Sequence, residues 1–526
     1  MHAPPKHRIY IRAALVATVV QFVSFKLCYP RAGFINGDSY VYLQSAMYNS
    51  DINTYPVGYS KFLRVFSAFT RSDTALVAFQ YLAVQAGILA LLFTLFDLFE
   101  PGKRTRWLMF ALGILNPVFL YLANYVSSDA LFTALSLFWF ATLLRLMQRP
   151  NPKLLITHAL ILLFAFSVRY NALYYPGISA IGFLLTREPF KKKLAALALT
   201  ILPALLYIVF ISNLNKEAVG IRQFTAFTGW QLANNALYAY RYVDSANLTP
   251  PPAELQQLDR LVRHYFDTSR DLLHHPQEML QASTVYMWDP HSPLQQYMAL
   301  ATARDSTGSF FRRWSRMGPL YAHYGTWLIR QYPGIYGNYY LLQNAIKFYT
   351  PPGEFLFEYN MGRDTVGTPA INWFRYPSKK VAPAFGDYRV RLIAYMPILA
   401  AVMNIFFLLA GLGLVAIRGL RFRTLREKAA LLAAAFWTAN FVFSVTAAPV
   451  TLRYQLFDIL VAAFFALLLL QRIYSLAFVK TRDSASSLDR GQALSTEPDK
   501  AAVRYSRSHL LTVSPRPSPN PRYGSV

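Results

Sequence analysis

The chain has 526 residues, of which 54% are hydrophobic, 16% aromatic and only 15% charged, which excludes a soluble multidomain enzyme of this length. Repeated apolar runs of membrane length mark a multi-pass membrane protein instead. The net charge of +26 does not point to nucleic acid, because the Lys and Arg residues cluster between apolar runs and form no continuous basic face.

The expected fold is mostly α, a polytopic bundle of about ten transmembrane helices. The apolar runs fall at about 9–27, 74–98, 107–122, 128–147, 154–168, 173–185, 194–211, 392–417, 429–445 and 452–470. Several are shorter than the ~20 residues of a full span, as broken or tilted helices lining a cavity are. The first run lacks a small-x-small cleavage site and reads as an uncleaved helix. Cys28 is the only cysteine, so no intrachain disulfide forms.

Lys6, Arg8, Arg12, Lys103, Arg104, Arg106, Arg145, Arg149 and Lys153 lie in alternate loops, continued by Arg187, Lys191, Lys192, Lys193, Arg418, Arg421, Arg423, Arg426, Lys428 and Arg472. The positive-inside rule makes that side cytoplasmic, together with both termini. Four parts follow: an N-terminal transmembrane module, 1–211, with a first outer loop at 28–73; an extracytoplasmic cap, 212–390; C-terminal transmembrane helices, 391–472; and a cytoplasmic tail, 473–526. The cap mixes helical-looking pieces at 253–266 and 294–303 with proline breaks. The Ser-, Pro- and Arg-rich tail is expected to be disordered from about Asp483.

The first outer loop does not read as a slack connector. Asn36-Gly37-Asp38-Ser39 is a turn leading into a helix start, and Tyr40, Leu43, Ala46 and Met47 follow at helical spacing. Tyr55-Pro56-Val57-Gly58-Tyr59 breaks the chain. A second amphipathic helix then carries Phe62, Leu63, Phe66 and Phe69 with Lys61 and Arg64. Such helices lie in the membrane interface. Asp38 suits a helix N-cap and equally a general base.

Asp129 opens the fourth run after the polar bend Asn124-Tyr125-Val126-Ser127-Ser128; capping again competes with a functional role. Asp51 reads as a turn former. Arg169-Tyr170 and Arg453-Tyr454 sit at outer helix ends, where arginines are unexpected. A guanidinium there suits phosphate oxygens. Lys61 and Arg64 could also contact phosphate, or snorkel to headgroups. The sequence has no Asp-x-Asp pair, no phosphate-binding Gly-rich loop and no His-Glu-x-x-His. Trp288-Asp289-Pro290 reads as a turn, and His274-His275 as surface histidines.

The acid just after the first span, the paired interfacial helices and the Pro-x-Gly-Tyr turn resemble the GT-C membrane glycosyltransferases, which include the protein O-mannosyltransferases and the lipid A aminoarabinose transferases. The 127–132 bend and both Arg-Tyr pairs are similar to patterns in that superfamily. The resemblance covers about 9–190 and 390–470, leaving the cap unmatched. It implies an inverting transferase of the bacterial-type inner membrane that takes a sugar from a polyprenyl-phosphate carrier at the outer face. The acceptor would be a lipid, glycan or protein. Asp38 would be the base, Asp129 a second acid, and Arg169, Tyr170, Arg453 and Tyr454, with Tyr59, Lys61 and Arg64, the donor contacts. No cofactor or metal is required in this reading, although some relatives bind divalent ions.

Two departures stand out. Ser39 occupies the place of a second acid found in many relatives. Tyr55 replaces the lysine with which the lipid A enzymes contact the donor phosphate. The rival readings are a transporter or lipid-carrier flippase, and a glycan polymerase or ligase of another membrane fold. A transporter would be expected to show paired halves, and none is evident.

Overall fold

The computed structural model describes residues 7–269, 283–303, 308–419, 423–447 and 449–493. His274-His275 and the chain beyond residue 493 lie outside the described residues. The protein is a multi-pass α-helical membrane protein. Among the described residues there is no β-strand, only three isolated bridges.

Eight helices among the described residues are long and apolar enough to cross a membrane: Arg8–Cys28, Asp73–Phe99, Lys103–Asn124, Ser128–Gln148, Phe190–Val219, Arg391–Ile417, Leu425–Ala447 and Leu452–Ala477. The expected ten differ by the runs at 154–168 and 173–185. These form the 17-residue helix Pro152–Val168 and the 10-residue helix Tyr175–Leu184, joined through a 3₁₀ turn at Tyr170–Tyr174. At 1.5 Å per residue each is shorter than the ~30 Å hydrocarbon core. The break between them falls at Arg169, which is extended (φ −150°, ψ 142°).

Helices Asp73–Phe99 and Ser128–Gln148 form the middle of the bundle and bury residues around most of their circumference. Helices Arg8–Cys28 and Phe190–Val219 instead expose Val16, Val19 and Val23, and Leu202, Leu206 and Phe210. Apolar stripes of that length are covered by lipid.

The first loop folds as two helices, Asp38–Met47 and Gly58–Ser67. Gly37 precedes the first at φ +88°, in the left-handed region that glycine adopts without strain. A buried cluster from Ala32, Phe34, Leu43, Tyr59 and Leu63 extends into Val366, Ala370, Trp373 and Val381.

The segment between Val219 and Arg391 has a core of its own, centred on Trp230, Trp314, Tyr321 and Tyr324. The expected piece at 253–266 is a 3₁₀ turn and the helix Gln256–Ser269, and the piece at 294–303 is the helix Pro293–Ala301. Helix Phe227–Tyr240 runs against helix Phe310–Gln331, with Trp230 stacked on Trp314 at 5.4 Å and donating its indole N–H to the Trp314 carbonyl at 2.9 Å. Pro319 lies inside the second helix and has no N–H for the Ser315 carbonyl; Gln223 donates to that carbonyl at 2.9 Å. A Cβ on Gly229 would lie 1.9 Å from the Gly318 carbonyl oxygen. Gly229→Ala is therefore expected to force the pair apart and cost roughly 1–3 kcal/mol. A thermal melt followed by tryptophan fluorescence checks this, and an unchanged midpoint refutes it.

Contacts divide the chain into residues 1–473 and a second unit, 474–526. The last helix continues to Ala493, so residues 483–493 are helical where a disordered tail was expected. No proline interrupts the chain there before Pro498.

Candidate functional site

Three polar turns and the start of the last helix converge at one end of the bundle. Gly33 N–H donates to the Asn124 carbonyl at 2.9 Å, and Val126 N–H to the Gly33 carbonyl at 3.0 Å, so the first loop is tied to the 124–128 bend. Tyr125 donates its hydroxyl to the carbonyls of Phe355 (2.8 Å) and Glu358 (2.6 Å), which adds the 354–358 turn. Leu452 N–H donates to the Pro352 carbonyl at 2.9 Å, bringing in the start of the last helix. Hydrogen bonds to backbone carbonyls thus help to bring the acids and arginines together.

Asp38 is the first residue of its helix, but its carboxylate caps nothing. Its Oδ1 accepts from the Tyr55 hydroxyl at 2.9 Å and its Oδ2 from Arg453 Nη1 at 3.0 Å. Asp129 is also released from capping. Ser127 is the N-cap of helix Ser128–Gln148, accepting from Asp129 N–H while donating its hydroxyl to Asp129 Oδ2 at 2.9 Å. Arg169 Nη1 is ion-paired with Asp129 Oδ1, and Arg453 Nη1 reaches Asp129 Oδ2 at 3.3 Å. Both guanidinium groups lie over the Tyr454 ring, at 4.2 Å for Arg169 and 4.4 Å for Arg453, and Arg453 also lies 4.7 Å over Phe355. Two carboxylates and two guanidinium groups balance within this cluster.

Its members differ in depth. The Asp129 side chain is 2% exposed and the Asp38 side chain 20%, so Asp38 is the acid that solvent or a ligand can reach. Arg453 Nε is buried with no hydrogen-bond partner, which leaves donor capacity after both carboxylates are satisfied. A narrow cavity is walled by Asp129, Arg169, Arg453 and Tyr454 and reaches Tyr174, Asn440 and Asp458. Asp38 does not form its wall and touches it through Arg453.

A second cavity, of about 390 Å³ with its open mouth, lies between 51–57 of the first loop, helix Phe190–Val219 and Trp314. Tyr55 lines this one and Tyr170 does too. Tyr55 therefore stands with its ring in one cavity wall and its hydroxyl on Asp38. Burial pushes its phenol well above the ordinary range, and the Asp38 carboxylate adds to this, so the hydroxyl stays protonated and donates.

The other candidate residues sit elsewhere. Tyr59 is fully buried and donates to Gln80 Oε1 at 2.8 Å. Lys61 holds Asn49 Oδ1 at 2.9 Å and Asp51 Oδ1 at 2.6 Å, and Arg64 donates to the Ala46 carbonyl at 3.0 Å. These two cations fasten the two first-loop helices to each other and are not brought to the arginine pair.

Two acids joined to this region were not singled out from the sequence. Glu354 follows Gly353 in a 3₁₀ turn, and crowding by protein raises its carboxyl while the Arg453 guanidinium opposes the shift. A proline-rich turn gave no signal for it. Asp458 did carry a signal, an acid within an apolar span. Among the described residues no group of three or more His, Cys, Asp or Glu is placed to hold a metal ion. No protein family, curated protein or solved structure matches this chain.

Proposed function

We propose that the protein is an inverting GT-C-type glycosyltransferase that moves a sugar from a polyprenyl-phosphate carrier to a lipid, glycan or protein acceptor. In this reading both termini are cytoplasmic, the membrane is an inner membrane, and the 212–390 segment is an extracytoplasmic cap. The observation that carries the reading is Arg453, which bridges Asp38 and Asp129 beside a cavity while keeping an unpartnered donor.

A phosphate entering that cavity meets two guanidinium forks whose planar donors match its oxygens. Binding there draws Arg453 away from Asp38, so the arrival of the donor frees the base. The acceptor hydroxyl then gives its proton to Asp38 as its oxygen bonds to the anomeric carbon, on the face opposite the leaving phosphate. The bond from that carbon to the phosphate oxygen breaks, and its electrons go to the phosphate held by Arg169 and Arg453. Asp129 positions both arginines, and the cavity lined by Tyr55 is the acceptor's approach. No metal is required.

Membranes containing the protein, given a radiolabelled polyprenyl-phosphate sugar, are expected to transfer label from the carrier to an acceptor. Label that changes leaflet while staying on the intact carrier would identify a flippase and overturn the transferase reading.

A further inference from the structure

Below the arginine pair the cavity continues along the last helix from Tyr454 to Asp458. The two residues are one helical turn apart and share a face, about 6 Å apart along the axis. Asp458 is 6% exposed, and its Oδ1 is buried with no hydrogen-bond partner.

The polar groups around it are committed to one another. Asn440 donates to Gln455 Oε1 at 2.8 Å, Gln455 donates to Ser444 Oγ at 2.8 Å, and Tyr174 donates to Asn440 Oδ1 at 3.2 Å. The Nη1 groups of both arginines are likewise taken, by Asp38 and Asp129. An unpartnered carboxyl within a membrane span costs stability, and an apolar side chain would fill the same place without that cost. A buried carboxyl oxygen lining a cavity suits a ligand that carries hydrogen-bond donors.

We infer that Asp458 is a specificity-determining residue that accepts hydrogen bonds from the sugar of the carrier-linked donor. The inference rests on the donor reading above. With the phosphate on the guanidinium groups, the sugar attached to it extends along the wall that Arg453 shares with Asp458. An isoprenoid chain has nothing to donate there. The sugar's hydroxyls, or an ammonium on an amino sugar, supply the missing partner.

The test uses the full-length protein in lipid nanodiscs and reads thermal shifts. The probes are polyprenyl phosphate alone and the same carrier bearing glucose, mannose or an amino sugar. Wild type is expected to be stabilised further by at least one sugar-bearing carrier than by the bare one. Asp458→Leu should keep the bare-carrier shift and bind the sugar-bearing carrier about 10- to 100-fold more weakly. Its melting temperature without ligand should equal or exceed that of wild type. Asp458→Asn should retain much of the effect of a neutral sugar and lose that of an ammonium.

A sugar-dependent shift preserved in Asp458→Leu would overturn the inference and leave the donor reading standing. So would a sugar-bearing carrier that acts no differently from the bare one, or a lowered melting temperature of ligand-free Asp458→Leu. No shift from any carrier would defeat the donor reading and this inference with it.

Discussion

Replacing Asp38 by asparagine is expected to lower the rate of sugar transfer about 10²- to 10⁴-fold, the usual contribution of a positioned base. The substitution removes the base together with one half of the Asp38–Arg453 ion pair, and leaves Arg453 paired with Asp129. An amide oxygen can still accept the Tyr55 hydroxyl, which bonds Oδ1 at 2.9 Å. The amide cannot take a proton from an acceptor hydroxyl at neutral pH. The side chain is not a helix cap, so no capping energy is lost. Melting temperature should fall only modestly, because Arg453 keeps Asp129, while turnover of radiolabelled carrier-linked sugar collapses. Equal turnover by the two proteins would remove Asp38 from the chemistry.

Removing Arg453 is expected to have the largest effect on donor binding and on stability together. Its Nη1 serves Asp38 at 3.0 Å and Asp129 at 3.3 Å, and its side chain is 11% exposed. In Arg453→Ala, Asp38 loses its cation while Asp129 keeps Arg169. Breaking a buried ion pair from one side costs about 3–5 kcal/mol, because the other charge stays behind. Arg453→Lys separates this cost from recognition. A lysine keeps the charge but offers a point donor in place of the planar fork, so the protein should fold while affinity for the carrier phosphate falls at least ~10-fold. Thermal melts and carrier titration on both variants check the pair. Wild-type affinity in Arg453→Lys would show that the fork does not hold the phosphate.

Structure set by near neighbours in the chain is legible in the sequence, and contacts set by distant elements are not. The helix starting at Asp38, the break at Tyr55-Pro56 and the second helix at Gly58 follow from local spacing and turn residues, and the structure has them there. Capping at Asp38 was a sound local expectation, yet its carboxylate turns to Arg453, which is hundreds of residues away in the chain. At Asp129 the cap is the neighbouring Ser127, and no propensity distinguishes two adjacent candidates for one N–H. Lys61 and Arg64 were legible as cations near an interface. Their partners at Asn49, Asp51 and Ala46 depend on how two short helices pack.

Hydropathy by itself determined that this chain crosses a membrane many times, because an apolar run of sufficient length has no other stable place for its backbone polar groups. It also marked the polar turns where acids and arginines interrupt those runs. Only the tertiary structure decided that three polar turns and the start of the last helix meet, through the bonds of Gly33 to Asn124, Tyr125 to Phe355 and Leu452 to Pro352. It also decided that Asp458 lies beneath them, unpartnered in the same cavity. The physical reason is range: the periodicity of a span is written within about twenty residues, whereas the pairing of Asp38 with Arg453 depends on packing between elements from opposite ends of the chain.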